Sequence, residues 1–139
     1  MNERLRRLRL ALDEHEIDAA LISNEHNRRY LSGFTGSAGY LLITAEDAVI
    51  ATDFRYYEQS ASQAPDFRLH KTVGSLDAWM PGLVAGLGGK KIGFESGDMT
   101  VATHQQIKKA LADLPELERP ALVPTQNLVE SLRVFKEPA

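Results

Sequence analysis

The chain has 139 residues, a formal net charge of -3 and no cysteine. One ordinary domain fits that length, its 43% hydrophobic and 25% charged residues are globular rather than disordered proportions, and disulfides and thiolate metal sites are excluded. The acidic balance argues against a nucleic-acid surface, no apolar run reaches the ~18 residues of a membrane span, and the charged residues 1–8 lack the apolar core of a signal peptide, so a cytoplasmic domain is expected.

Leu5, Leu8 and Leu12 recur at helical spacing and predict an amphipathic helix of roughly three turns. Arg4, Arg6, Arg7 and Arg9 surround that stripe and read as a solvated face, offset by Glu3, Asp13, Glu14 and Glu16. Residues 17–22 are nearly all apolar, the pattern of a strand covered on both faces. Asn24 can then cap a short helix over 25–31, and Gly33 suits the left-handed position that ends it.

Gly33, Gly36 and Gly39 fall three residues apart, with Tyr30 and Phe34 among them, and lead into an apolar run. Residues 40–44 and 48–52 both read as strands. The three residues between them permit a hairpin and forbid a parallel crossover, so the sheet must be mixed.

Asp53 is placed to cap a helix over 54–64, stopped by Pro65 and Asp66. Residues 67–71 alternate and suggest a strand near an edge. Leu76, Trp79, Met80, Leu83, Val84 and Leu87 form a helical apolar face, with a kink or a break expected at Pro81-Gly82. A short strand at 91–94 follows, then a helix capped by Thr100 and reaching about Leu114, with Val101, His104, Ile107 and Leu111 inward. A strand at 121–123 and a last helix near 126–132 complete the order. Alternating strands and helices predict a three-layer α/β/α domain with a mixed, mostly parallel sheet. The tail Val134-Phe135-Lys136-Glu137-Pro138-Ala139 reads as the start of a linker, giving a domain over 1–132 and a linker over 133–139.

No catalytic set is complete in these residues. His15 has acidic neighbours but lacks the second histidine of an H-E-x-x-H site. His104 falls on an apolar helix face and reads as a core residue. The three spaced glycines lead into a strand, where a dinucleotide loop leads into a helix. Gly88-Gly89-Lys90-Lys91 lacks the hydroxyl residue and the leading glycine of a phosphate loop. Gly36-Ser37-Ala38-Gly39 is one residue short of a nucleophile elbow and also points into a strand. Arg55 is the informative residue: in the first turn of a helix the dipole disfavours a cation, so the alternatives are a pairing with Asp53, another carboxylate or a ligand, or a simply solvated side chain.

Asn27-x-x-Tyr30-Leu31-Ser32-Gly33-Phe34-x-Gly36-Ser37-x-Gly39, followed by Leu41-Leu42-Ile43-Thr44 and Thr52-Asp53-x-Arg55-Tyr56, resembles the N-terminal domain of the creatinase/prolidase/aminopeptidase P group, the pita-bread metallopeptidases. The tail Leu132-Arg133-x-Phe135-Lys136-x-Pro138 is similar to the passage into that group's catalytic domain. The resemblance covers the whole chain and implies a mixed-sheet fold with a ribonuclease H-like motif. It also implies that this chain has no metal ligands and no activity of its own. Two divalent ions (Mn, Co or Zn) would be held in a following catalytic domain that cleaves Xaa-Pro bonds. The implied partners are that catalytic domain, a second copy of the parent and proline-containing peptides. The implied role of the chain is to shape the active-site mouth and support dimerisation, with Arg55 and Tyr56 lining a neighbouring active site and Asp53 acting as a cap. A creatinase-like amidinohydrolase or a non-catalytic binding module would share this architecture.

Overall fold

The computed structural model describes residues 2–134. In order the elements are α1 (Glu3–Glu14), β1 (Ala19–Ile22), α2 (Glu25–Ser32), β2 (Tyr40–Thr44), β3 (Ala48–Thr52), a 3-10 turn (Phe54–Tyr56), α3 (Tyr57–Gln63), β4 (Arg68–Lys71), α4 (Leu76–Leu83), β5 (Lys91–Glu95), α5 (Val101–Ala112), a second 3-10 turn (Glu116–Glu118), β6 (Ala121–Thr125) and α6 (Glu130–Arg133). The six strands form one sheet in the order β4-β3-β2-β1-β5-β6. β2 runs antiparallel to β1 and β3, while the β3–β4, β1–β5 and β5–β6 pairs are parallel. Five strands therefore point one way and β2 alone is reversed, as the short β2–β3 link requires.

Side-chain alternation along the strands builds two cores. Ala20, Ile22, Leu41, Ile43 and Ile50 face one side, where Leu5, Leu8 and Leu12 of α1, Leu31 of α2 and Val129 cover them. Ala19, Leu21, Leu42, Val49 and Ile92 face the other side, under Met80 and Leu83 of α4 and Ile107, Ala110 and Leu111 of α5. Helices on both faces complete the three-layer architecture.

Local physics sets the element ends. The Asn2 side chain accepts from the Arg4 and Leu5 amides at the start of α1, Asn24 accepts from the Asn27 amide at the start of α2, and Thr100 accepts from the Thr103 amide at the start of α5. Gly33 ends α2 with φ 84°, a left-handed conformation that costs other residues strain.

Several expectations need correction. Three of the four α1 arginines are not simply solvated: Arg4 donates to the Tyr30 carbonyl, Arg7 to that of Leu132 and Arg9 to those of Thr44 and Asp47. Long guanidinium stems let them cap carbonyls on neighbouring elements. The helix after Asp53 opens as a 3-10 turn before α3. α4 is one continuous helix, because Pro81 lies close to its end at Leu83 and so interrupts little. Val101 is 73% exposed, since the first residue of α5 stands outside the face made by Ile107, Ala110 and Leu111. α6 spans Glu130–Arg133, so the last helix starts later than the expected 126; residues 135–139 of the expected linker lie outside the described residues.

Candidate functional site

The carboxyl ends of β1, β3, β4, β5 and β6 lie at one end of the sheet, joined there by the amino end of reversed β2. In open α/β sheets this is where ligands bind. The motif residues gather at this end on three loops: residues 23–24 after β1, residues 33–39 before β2 and residues 53–56 after β3.

Asp53 both caps and clamps. Its Oδ1 accepts from the Arg55 amide at 3.1 Å and from Arg55 Nε at 2.8 Å, and Oδ2 accepts from the second guanidinium nitrogen, Nη2, at 2.9 Å. The hydrogen-bonded Arg55 side chain lowers the Asp53 carboxyl to a pKa of about 2. Of the partners left open for Arg55, the structure selects Asp53. The Arg55 side chain is nevertheless 56% exposed, and the two-pronged pair leaves Nη1 turned away from Asp53. It also lies over the Tyr56 ring, 5.1 Å from its centroid, so stacking and bidentate pairing fix its plane together.

Tyr56 is anchored at both ends. Its ring meets Phe34 edge to face at 5.6 Å, and its hydroxyl is 2.6 Å from Ser37 Oγ. The Ser37 contact is the main influence lowering the Tyr56 pKa. Ser37 thus has a phenol as its partner and no base, which fits the structural role read from its sequence context. Phe34 is almost fully buried, and a Cβ on Gly36 would overlap its ring. Close approach explains that glycine.

A buried polar network lies beside this loop. Glu95, at the end of β5, is 7% exposed. Its Oε1 accepts from the Ser23 and Asn24 amides at 2.7 and 2.8 Å, and Oε2 accepts from Asn27 Nδ2 at 2.5 Å. Arg133 of α6 donates to Asn27 Oδ1 at 2.9 Å. Burial pushes the Glu95 carboxyl above the ordinary carboxylate range, against the lowering effect of its three donors. Arg28 is 5% exposed and donates to the Ser23 and Gly36 carbonyls, which ties α2 to the glycine loop; burial lowers its pKa. Asp98 accepts from Ser23 Oγ and Asn24 Nδ2. Between these groups opens a cleft of about 310 Å³ lined by Arg28, Ser37, Tyr40, Asp98 and Thr103. A larger cleft, about 660 Å³, opens at the opposite end of the sheet, where cations and carboxylates neutralise one another, as in the Arg68–Asp47 pair at 2.7 Å.

Arg55 and Tyr56, the two site candidates of the sequence, are therefore adjacent, exposed in part and rigidly held. Glu95 and Arg28 were missed. Glu95 ends an apolar strand and Arg28 sits in a polar helix, so neither carries a pattern of its own; the only signal was Asn27, a motif position that turns out to bridge Glu95 and Arg133. The histidines do not converge: the His70 ring contacts the Trp79 carbonyl and His104 stacks on Phe94. Among the described residues no three His, Asp or Glu side chains are grouped to hold a metal ion, and none of the described helices is long and apolar enough to cross a membrane.

Comparison with known proteins adds identity to this geometry. Residues 4–135 match the model of the creatinase/prolidase N-terminal domain. The chain is 37% identical over 133 residues to the uncharacterized peptidase YqhT of Bacillus subtilis, covering 96% of this chain and 36% of that protein. Among solved structures, an Xaa-Pro dipeptidase from Bacillus anthracis superposes with a TM-score of 0.85 at 38% identity, over 97% of this chain and 36% of that one. The N-terminal domain of the cytoplasmic peptidase PepQ from Mycobacterium tuberculosis superposes with a TM-score of 0.82 at 40% identity, over 96% of this chain and 100% of that one. An X-prolyl aminopeptidase from Caenorhabditis elegans, described as a cytosolic enzyme with a di-nuclear active site, shares the fold with a TM-score of 0.74 at 23% identity. The chain thus spans about a third of the length of the Bacillus subtilis and Bacillus anthracis proteins.

Proposed function

The chain belongs to the creatinase/prolidase N-terminal domain family, and we propose that it is the non-catalytic N-terminal domain of a cytoplasmic Xaa-Pro aminopeptidase or dipeptidase, where it shapes the active-site entrance and takes part in self-association. The observation that carries this reading is one of extent. A family match over residues 4–135 accounts for the described fold, yet the chain covers 36% of a full-length relative, which leaves room for a catalytic domain of the usual size. The two divalent metal ions of the parent, Mn, Co or Zn, belong in that domain, where they would activate water and polarise the scissile carbonyl. The residues described here supply no ligand cluster for them.

What this chain contributes is positioning. Asp53 holds the Arg55 plane, Tyr56 stacks beneath it, and Ser37 and Phe34 hold Tyr56. A cation fixed in this way presents Nη1 to a carbonyl or carboxylate of a peptide at little entropic cost. Arg55 and Tyr56 thereby line a neighbouring active site, while Asp53 serves as cap and clamp.

The test is turnover by the full-length parent loaded with Mn²⁺. Release of the residue before proline from Xaa-Pro peptides is expected, with none from the 139-residue chain alone. Creatine hydrolysis would instead assign an amidinohydrolase, and turnover of neither substrate would assign a binding module.

A further inference from the structure

At the carboxyl end of the sheet a buried cation has no anion bonded to it. Arg28 is 5% exposed. Its Nη1 donates to the Ser23 carbonyl at 2.7 Å and its Nη2 to the Gly36 carbonyl at 3.2 Å, while Nε is buried and has no acceptor among the described residues. Both acceptors are neutral, and no described carboxylate pairs with Arg28. A guanidinium carries more N–H groups than these two bonds use, and a desolvated cation without a bonded anion is costly.

Arg28 lines the cleft of about 310 Å³ beside the glycine loop, a volume at the low end for small-molecule sites. Other walls of that cleft also favour negative charge. The amino end of α5 borders it through Thr100 and Thr103, where the helix dipole attracts an anion. Ser37 and Tyr40 bring hydroxyl-bearing side chains to it.

One wall has the opposite sign. Asp98 lines the same cleft and is exposed. Its Oδ1 accepts from Asn24 Nδ2 at 3.2 Å and its Oδ2 from Ser23 Oγ at 2.7 Å, and carboxylate oxygens have lone pairs to accept again. Ser23 touches both charges, because its carbonyl takes Arg28 and its hydroxyl goes to Asp98. The span between cation and acid is thus bridged by a single residue, yet the two are not bonded to each other. A ligand that satisfies both must carry an anion and a cation equally close together. An α-amino acid holds its carboxylate and ammonium groups on one carbon, whereas a peptide holds its end charges farther apart.

We propose that this cleft binds a free α-amino acid, with its carboxylate on Arg28 beside the amino end of α5 and its ammonium group on Asp98. The site adjoins the Arg55 loop, since Ser37 lines the cleft and its hydroxyl contacts that of Tyr56. It does not rest on the function proposed above: it concerns the described residues alone and can fail without that reading.

The test is a titration of the ¹⁵N-labelled 139-residue chain with L-alanine at constant ionic strength, followed in proton–nitrogen correlation spectra. The Arg28 Nε–H resonance and the amides of residues 98–103 are expected to shift together and to saturate in the millimolar range. Acetate, methylammonium and glycylglycine should each bind about tenfold or more weakly than alanine. Asp98→Asn should remove the preference for alanine over acetate; because Asp98 is exposed, the variant should fold normally, which circular dichroism checks. No saturable shift with alanine would overturn the site, as would an Arg28 Nε–H resonance that stays in place while others move. Equal shifts from alanine and sodium chloride would mean an adventitious ion only and would also overturn it. Acetate binding as tightly as alanine would overturn the role of Asp98, and glycylglycine binding as tightly would overturn the choice of a free amino acid.

Discussion

Glu95 stays in the interior because three donors converge on it, two of them amides at the head of α2. Glu95→Gln keeps the shape but points an amide donor at Asn27 or forces Asn27 to turn from Arg133. A loss of about 1–3 kcal/mol is expected in urea denaturation at neutral pH. The pH dependence has a definite sign. Burial raises the folded-state pKa above the ordinary value of 4.5, so the folded chain binds more protons than the unfolded one in that window, and stability falls as pH rises through it. Glu95→Gln lacks this decline, and parallel stability curves from about pH 4 to 8 for the two proteins would contradict the assignment. Gly33→Ala is the second test at this scale. At φ 84° a side chain is strained, and its Cβ would stand 2.8 Å from the Gln63 carbonyl oxygen. A destabilisation of about 1–3 kcal/mol is expected from thermal or urea unfolding. Gly33 was legible from sequence because capping is local; Glu95 was not, because its partners lie 68 to 72 residues away.

At the scale of elements, burial falls off toward the sheet edges. β1 and β3 are buried along their whole length, whereas β4 and β6 have mostly exposed or half-buried residues. Amide hydrogen exchange should therefore be slowest in β1, β2 and β3 and faster in β4 and β6; equal protection of β6 and β1 would contradict the sheet order. Most elements were legible in the sequence because period and caps are short-range signals. The hairpin followed from its three-residue link, and the edge position of β4 from alternation with charged residues. The order of the other strands was not legible, since periodicity says which face a strand buries and nothing about its neighbours. Val101 was misplaced for a related reason: helical spacing extends a face to the first residue of α5, whether or not the sheet lies beneath it.

Across the whole molecule, one end of the sheet gathers the candidate site. The carboxyl end of the sheet carries the clamped Arg55, Tyr56 and the Glu95 network. Arg133 of α6 reaches that network through Asn27, which links the last described helix to the end of the sheet that bears the candidate site. Of the candidate site, Arg55 and Tyr56 were readable because they sit in a compact motif with Asp53, while the cleft beside Arg28 depends on how α2 and the glycine loop fold together. The proposed role of this chain is to position groups for chemistry performed in another domain. Its most direct test is kcat/KM for an Xaa-Pro peptide in the full-length parent with and without Arg55→Ala. Because Arg55 is exposed, the variant should fold normally, and a fall in kcat/KM of about tenfold or more is expected from losing a fixed charged contact. Unchanged kcat/KM, with unchanged self-association, would contradict the account.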